Sequence, residues 1–171
     1  VMDADNYEDN IPDMMLDWSI DKASFDMSGV RWQENREFSY DGETKSIRLT
    51  GLPEGLTPEY EGSSASEAGE YTARAGFEYD ERNYRKPEVA TCHWVIERTP
   101  VDISTVNWDY DEAFIYDGKE KTVAVRNIPE GTTVKYNNAK ASQAGTYVAA
   151  AEIIPEDTDN LTKSRLENLT W

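Results

Sequence analysis

The strongest constraint in this 171-residue sequence is an internal repeat. Trp18, Trp32, Tyr40-Asp41-Gly42, Pro53-Glu54-Gly55, Tyr60 and Ala68-Gly69-x-Tyr71 return 76 residues later. They reappear as Trp94, Trp108, Tyr116-Asp117-Gly118, Pro129-Glu130-Gly131, Tyr136 and Ala144-Gly145-x-Tyr147. Self-similarity at a fixed period means one structural unit used more than once. Positions held in both repeats read as scaffold, and positions that differ are where a specific function can reside. The period divides the chain into residues 21–96, a first repeat, and residues 97–171, a second. Residues 1–20 read as the tail strand of a preceding repeat or a linker. Asn6-Tyr7 matches Asn83-Tyr84, and Trp171 matches Trp94, so the chain reads as a fragment of a longer array.

Within each repeat the hydrophobic pattern has the period of a β-strand. In Lys121–Arg126, Val123 and Val125 share one face and Thr122 and Ala124 the other; Ile47 and Leu49 alternate in the same way in Ser46–Thr50. Residues 72–77, 132–136 and 146–153 are further strand candidates. Asp-Gly, Pro-Glu-Gly, Asn137-Asn138 and Ala-Gly punctuate them with turn chemistry. Short strands at this spacing, with no helical period, predict an all-β fold of two tandem immunoglobulin-like β-sandwiches, each of about seven short strands. Tyr71 and Tyr147, just before a strand, are expected to bond through their hydroxyls to the backbone at a corner, as tyrosines do in such sandwiches.

Charge and composition narrow the function. A net charge of −17 repels nucleic acid phosphates and anionic membrane surfaces, so neither is expected as a partner. No apolar run is long enough to span a membrane. One cysteine excludes an internal disulfide framework. Cys92 and His93 are adjacent on a predicted strand and therefore face opposite ways, so they cannot work as a nucleophile–base pair. No second histidine exists to build a triad or a zinc site. The chain reads as non-enzymatic, with no cofactor and no metal. Asp3, Asp5, Asn6, Glu8 and Asp9 lack the glycine and terminal glutamate of an EF-hand loop and read as a solvated acidic run.

The residues that recur also resemble a known family. Phe38–Lys45 (Phe-Ser-Tyr-Asp-Gly-Glu-Thr-Lys), Leu52–Gly55, Tyr60, Ala68–Tyr71, Asn83-Tyr84 and Trp94-x-Ile96 are similar to bacterial immunoglobulin-like repeats of the MBG/YDG type. The second repeat matches through Phe114–Lys121, Ile128–Gly131, Tyr136, Ala144–Tyr147 and Trp171. Such repeats stand in tandem in large surface proteins, especially of Gram-positive gut bacteria. The resemblance implies an exported, cell-surface protein that binds a host extracellular protein, with a mucosal glycoprotein or secreted immunoglobulin as plausible partners. Passive stalk repeats of a surface protein are the alternative and a carbohydrate-binding module the second alternative, and the resemblance implies neighbouring repeats of the same chain as partners.

The repeat then sorts the candidate residues. Trp18, Trp94 and Trp171 share one repeat position and Trp32 and Trp108 another, which reads as core or inter-repeat packing rather than a sugar platform. Lys45 and Lys121 recur as well and read as exposed strand ends rather than isopeptide-forming lysines. The residues that building the scaffold leaves unexplained lie in the first repeat: the loop Gln33, Glu34, Asn35 and Arg36, with Tyr79, Arg82, Tyr84 and Arg85. Arginine and tyrosine are enriched at protein interfaces, so these form the candidate partner-binding set.

Overall fold

The computed structural model describes residues 15–111 and 113–171, and every regular element among them is a β-strand. The acidic run at Asp3–Asp9 lies outside the described residues. The first repeat contributes β1 (Arg31–Trp32), β2 (Glu37–Ser39), β3 (Lys45–Ser46), β4 (Leu49–Thr50), β5 (Thr57–Glu61), β6 (Ser64–Ala65), β7 (Gly69–Glu78) and β8 (Cys92–Glu97). The second contributes β9 (Thr99–Pro100), β10 (Asn107–Asp109), β11 (Lys121–Thr122), β12 (Ala124–Arg126), β13 (Thr132–Asn137), β14 (Lys140–Ala141), β15 (Val148–Pro155), β16 (Leu161–Thr162), β17 (Ser164–Arg165) and β18 (Leu169–Thr170).

The alternating segments do what their pattern predicts, with one refinement. Ile47, Leu49, Val123 and Val125 are all buried. The strand that carries each pair is broken in the middle because it changes partners. β3 pairs with β6 while β4 pairs with β1, and β11 pairs with β14 while β12 pairs with β10. A strand that hands over between two partners keeps its side-chain alternation and buries both ends.

The first repeat's main sheet runs β2-β8-β7-β5. β8 is antiparallel to β7, with Tyr71 opposite Trp94, and parallel to β2, with Phe38 opposite Ile96. The Trp-x-Ile strand is therefore built into the first repeat's sheet. Its Trp94 and Ile96 join Trp32, Ile47, Leu49, Ala73 and Cys92 in one core cluster. In the second repeat β13, β15 and β17 form the main sheet and β18 pairs with β15. Val123 and Val125 stand there in place of Ile47 and Leu49. The core there falls into two clusters, both touching Trp108, where the first repeat has one.

Recurrent tyrosines tie the scaffold. Tyr71 donates its hydroxyl to the Glu67 carbonyl at 2.8 Å and Tyr147 to the Gln143 carbonyl at 2.9 Å, each four residues upstream, as the sequence predicts. Tyr60 and Tyr136 have a role that sequence pattern does not reveal. Their hydroxyls accept from the backbone N–H of Leu49 at 3.0 Å and of Val125 at 2.9 Å. That satisfies a main-chain donor at the point where each strand changes partners.

The tryptophans divide. Trp32 and Trp94 are buried, and Trp108 and Trp171 are half-buried. Trp18 departs from the packing expected of its repeat position, for it is 78% exposed. Its equivalents are covered because β7 and β15 run beside them, and no sheet among the described residues lies under Trp18.

Candidate functional site

Three places could carry function: the 33–36 loop, the turn around residues 79–85, and the joint between the repeats. The loop is held by its own chain. Gln33 donates through Nε2 to the Asn35 carbonyl at 3.0 Å and accepts at Oε1 from the Arg48 N–H at 3.2 Å. Arg36 donates through Nε to the Gln33 carbonyl at 3.2 Å, and its own carbonyl accepts from the Val95 N–H at 2.9 Å. Glu34, Asn35 and Arg36 face solvent. Arg36 borders two open clefts. One, of about 690 Å³, is lined by Glu37, Glu70, Thr72, His93 and Glu97; the other, of about 410 Å³, by Arg31, Trp32, Glu88 and Thr91. A cation set among carboxylates with a wide opening can meet a polar protein surface, and it lacks the enclosed apolar pocket of a small-molecule site.

The second group is mostly structural. Tyr84 stacks on Phe25 with ring centroids 4.3 Å apart, and Tyr79 meets the same ring edge-on at 6.1 Å. Arg82 uses its backbone N–H to cap Asp80, and Arg85 donates its N–H to the Ala23 carbonyl at 2.8 Å. Tyr79 and Tyr84 thus clamp the segment entering the first repeat. No hydrogen bond joins this group to the 33–36 loop among the described residues, so the candidate set is two separate places.

Cys92 is buried and His93 is exposed, with His93 Nδ1 3.0 Å from the Thr72 hydroxyl. Among the described residues no cluster of three or more His, Cys, Asp or Glu side chains is placed to hold a metal ion.

The joint is the most constructed polar feature, and residue-type reasoning passed over it. Asn160 is 5% exposed. Its Oδ1 accepts from the Ala68 N–H of the first repeat at 2.7 Å, and its Nδ2 donates to the Glu67 carboxylate and to Asp157. Around it Thr99 donates its hydroxyl to the Tyr40 carbonyl at 2.6 Å, and Arg98 reaches the Thr158 carbonyl at 3.2 Å. The available signal was periodic. Asn83 and Asn160 stand one repeat apart, each three residues after an aspartate.

Both Tyr-Asp-Gly turns are closed by an ion pair. Lys45 pairs with Asp41, and Lys121 with Asp117 at 2.9 Å. These bonds, and the N–H groups of Glu43 and Lys119, hold both carboxyls below the ordinary aspartate value of 3.8. A carboxyl whose pKa is lowered by folding contributes stability above its unfolded value and loses it as pH falls through the folded one. The thermal midpoint should therefore decline once the pH drops below about 4. Melts of an Asp41→Asn/Asp117→Asn double variant should show a shallower acid decline, and an unchanged slope would contradict this role.

No family model matches the chain, and comparisons with curated proteins and with solved structures return no match.

Proposed function

We propose that this chain is a non-enzymatic pair of immunoglobulin-like modules from an exported bacterial surface protein, which spaces and presents neighbouring parts in a fixed succession. The observation that supports it most is the joint. A buried asparagine bonded to the backbone and to a carboxylate of the preceding repeat restricts how the two repeats can turn against each other. A flexible tether has no use for such a contact, whereas a spacer of defined geometry depends on it. Trp32 and Trp94 are buried in the first repeat's core, which takes those two rings away from a carbohydrate platform.

Asn160→Ala tests this reading. It strands the Ala68 N–H and leaves the joint short of its central donor and acceptor, a cost of about 1–3 kcal/mol. Spin labels on Glu54→Cys and Glu130→Cys, with the buried Cys92 out of reach of the reagent, should give one narrow distance in the parent chain. The Asn160→Ala variant should broaden it. A broad distribution in the parent chain would overturn the spacer reading.

A second reading, direct binding of a host extracellular protein, is favoured by one observation: Arg36 borders both clefts of the first repeat and has no basic counterpart in the second. Surface plasmon resonance against secretory immunoglobulin and purified mucin should then give saturable binding that Arg36→Glu removes. No binding to either would eliminate those partners.

A further inference from the structure

A fourth place is set apart by charge, for the two repeats carry opposite sign on the same sheet face. In the second repeat Thr133, Lys135 and Asn137 on β13 stand opposite Ile154, Glu152 and Ala150 on β15. Arg165 on β17 stands opposite Glu152 from the other side. The buried Ala149, Ala151 and Ile153 alternate with the β15 residues of this set, so the set lies on the outer face of the sheet. Lys163 joins it through a 3.1 Å ion pair with Glu152. Three cations (Lys135, Lys163 and Arg165) thus surround one carboxylate in a chain whose net charge is −17.

The first repeat shows that the scaffold does not require this. β5 and β7 pair there in the same register, with Glu59 in place of Lys135, Glu61 of Asn137, Arg74 of Ala150 and Gly76 of Glu152. Counted back from Trp94 and Trp171, Glu88 stands in place of Arg165 and Lys86 in place of Lys163. Acids outnumber bases on that face, so its sign is reversed. Glu59, Arg74 and Glu88 are exposed in a repeat that has the next one docked on it, so the joint leaves this face clear.

Ala150, standing where the first repeat has Arg74, lines an open cleft of about 360 Å³ that Lys135, Asn137, Glu152 and Arg165 border. Glu152 stays ionised there. Its hydrogen bond from Lys163 holds the carboxyl below the ordinary 4.5, and the charges of Lys135 and Arg165 add to this. Among the described residues Lys135 forms no ion pair, and Arg165 reaches the Asn168 side-chain oxygen at 3.4 Å. This donor set selects its ligand. A guanidinium takes a carboxylate or sulfate through parallel bonds, and Lys135 adds a second charged donor. Glu152 between them accepts and cannot donate, so a bare anion meets its repulsion. A ligand with an acid group and hydroxyls on one rigid frame satisfies both. An acidic peptide of several carboxylates brings more like charge against Glu152.

We propose that the outer face of β13, β15 and β17 binds an acidic saccharide, a sugar that carries a carboxylate or a sulfate. Lys135 and Arg165 take the acid group, and Glu152 and Asn137 take the ring hydroxyls. The acidity of the rest of the chain does not forbid this, because exposed charges more than about 8 Å away are largely screened at physiological salt. The same screening means that binding weakens as salt rises. The site shares no residue with the joint or with the Arg36 clefts, so its failure would leave both earlier readings standing, and theirs would leave it.

Amide shifts of the isotope-labelled full chain, followed by nuclear magnetic resonance during titration, test this. Sialyllactose or sulfated lactose should move the amides of residues 133–137, 150–154 and 163–165 saturably, and the one that does so identifies the acid group. Glu59, Arg74 and Gly76, on the equivalent face of the first repeat, should stay in place. A Lys135→Glu/Arg165→Glu variant, which installs the first repeat's residues at exposed positions, should bind at least about tenfold more weakly, the loss of one charge-assisted hydrogen bond. Its other amides should not move, and Arg36→Glu should bind as the parent does. Unmodified lactose, sodium acetate and sodium sulfate at the same concentration should leave the face unshifted. No response to either acidic sugar would overturn the proposal, as would an undiminished response in the double variant. An equal response to lactose would overturn the role of the acid group, and one to acetate or sulfate would reduce the site to an adventitious ion only.

Discussion

Trp94→Ala is expected to destabilise the first repeat by about 3–5 kcal/mol, the range for truncating a buried tryptophan. The ring is 3% exposed at the centre of the first core cluster. It meets Tyr71 at 4.9 Å between centroids and Phe38 edge-on at 5.9 Å, and its indole N–H donates to the Gly62 carbonyl. Alanine would leave a cavity walled by β2 and β7, which hydrogen-bond to the backbone on both sides of the site and cannot collapse into it. The repeat supplies the control. Trp18→Ala removes the same residue from the same repeat position, yet that side chain is 78% exposed and its loss should leave stability unchanged. Urea unfolding followed by far-ultraviolet circular dichroism compares the two without relying on the altered fluorophores. Equal midpoints for both variants would contradict the assignment of Trp94 as the core anchor.

That contrast shows where sequence reading succeeds and where it stops. The burial of Ile47, Leu49, Val123 and Val125 was legible because period-two alternation needs only the strand itself. The Tyr71 and Tyr147 corners were legible because donor and acceptor lie four residues apart. The repeat named the right tryptophans for a core position, but burial also needs a receiving sheet, and alignment of repeats does not say which one has it. The parallel pairing of β2 with β8 was out of reach for a related reason. Glu37 and Val95 lie far apart in sequence, and no local pattern sets a parallel register.

The candidate site shows the same boundary. Tyr79 and Tyr84 stand out in the sequence by residue type, yet Phe25 between them makes both a clamp on the incoming chain. Arg36, by contrast, borders two open clefts. The role of Asn160 is not legible in the sequence, because a polar residue in an acidic turn reads as solvated. What distinguishes it is the repeat packed above it, which removes water and makes each of its bonds count.

Gly51→Ala should be the second most damaging single change, and the second repeat explains why it is informative. Gly51 has φ of 74°, and a Cβ built there would lie 2.1 Å from the Gly29 carbonyl oxygen. The left-handed backbone costs a non-glycine residue about 1–2 kcal/mol, and overpacking against a fixed backbone adds about 1–3 kcal/mol. One period later the same turn holds Asn127, with φ of 56°, and its side-chain amide donates to the Thr105 carbonyl at 3.1 Å. Thr105 stands in the position of Gly29, so the second repeat has opened the crossing enough to admit a side chain and then bonded it there. Asn127→Gly should therefore cost less than about 1 kcal/mol, the worth of one exposed hydrogen bond. Gly51→Asn should fall between the two, because asparagine tolerates the backbone angle but meets the closer carbonyl. The test is the order of the three midpoints in denaturant unfolding. If Gly51→Ala proved as mild as Asn127→Gly, the close approach of residues 29 and 51 would not be a feature the first repeat depends on.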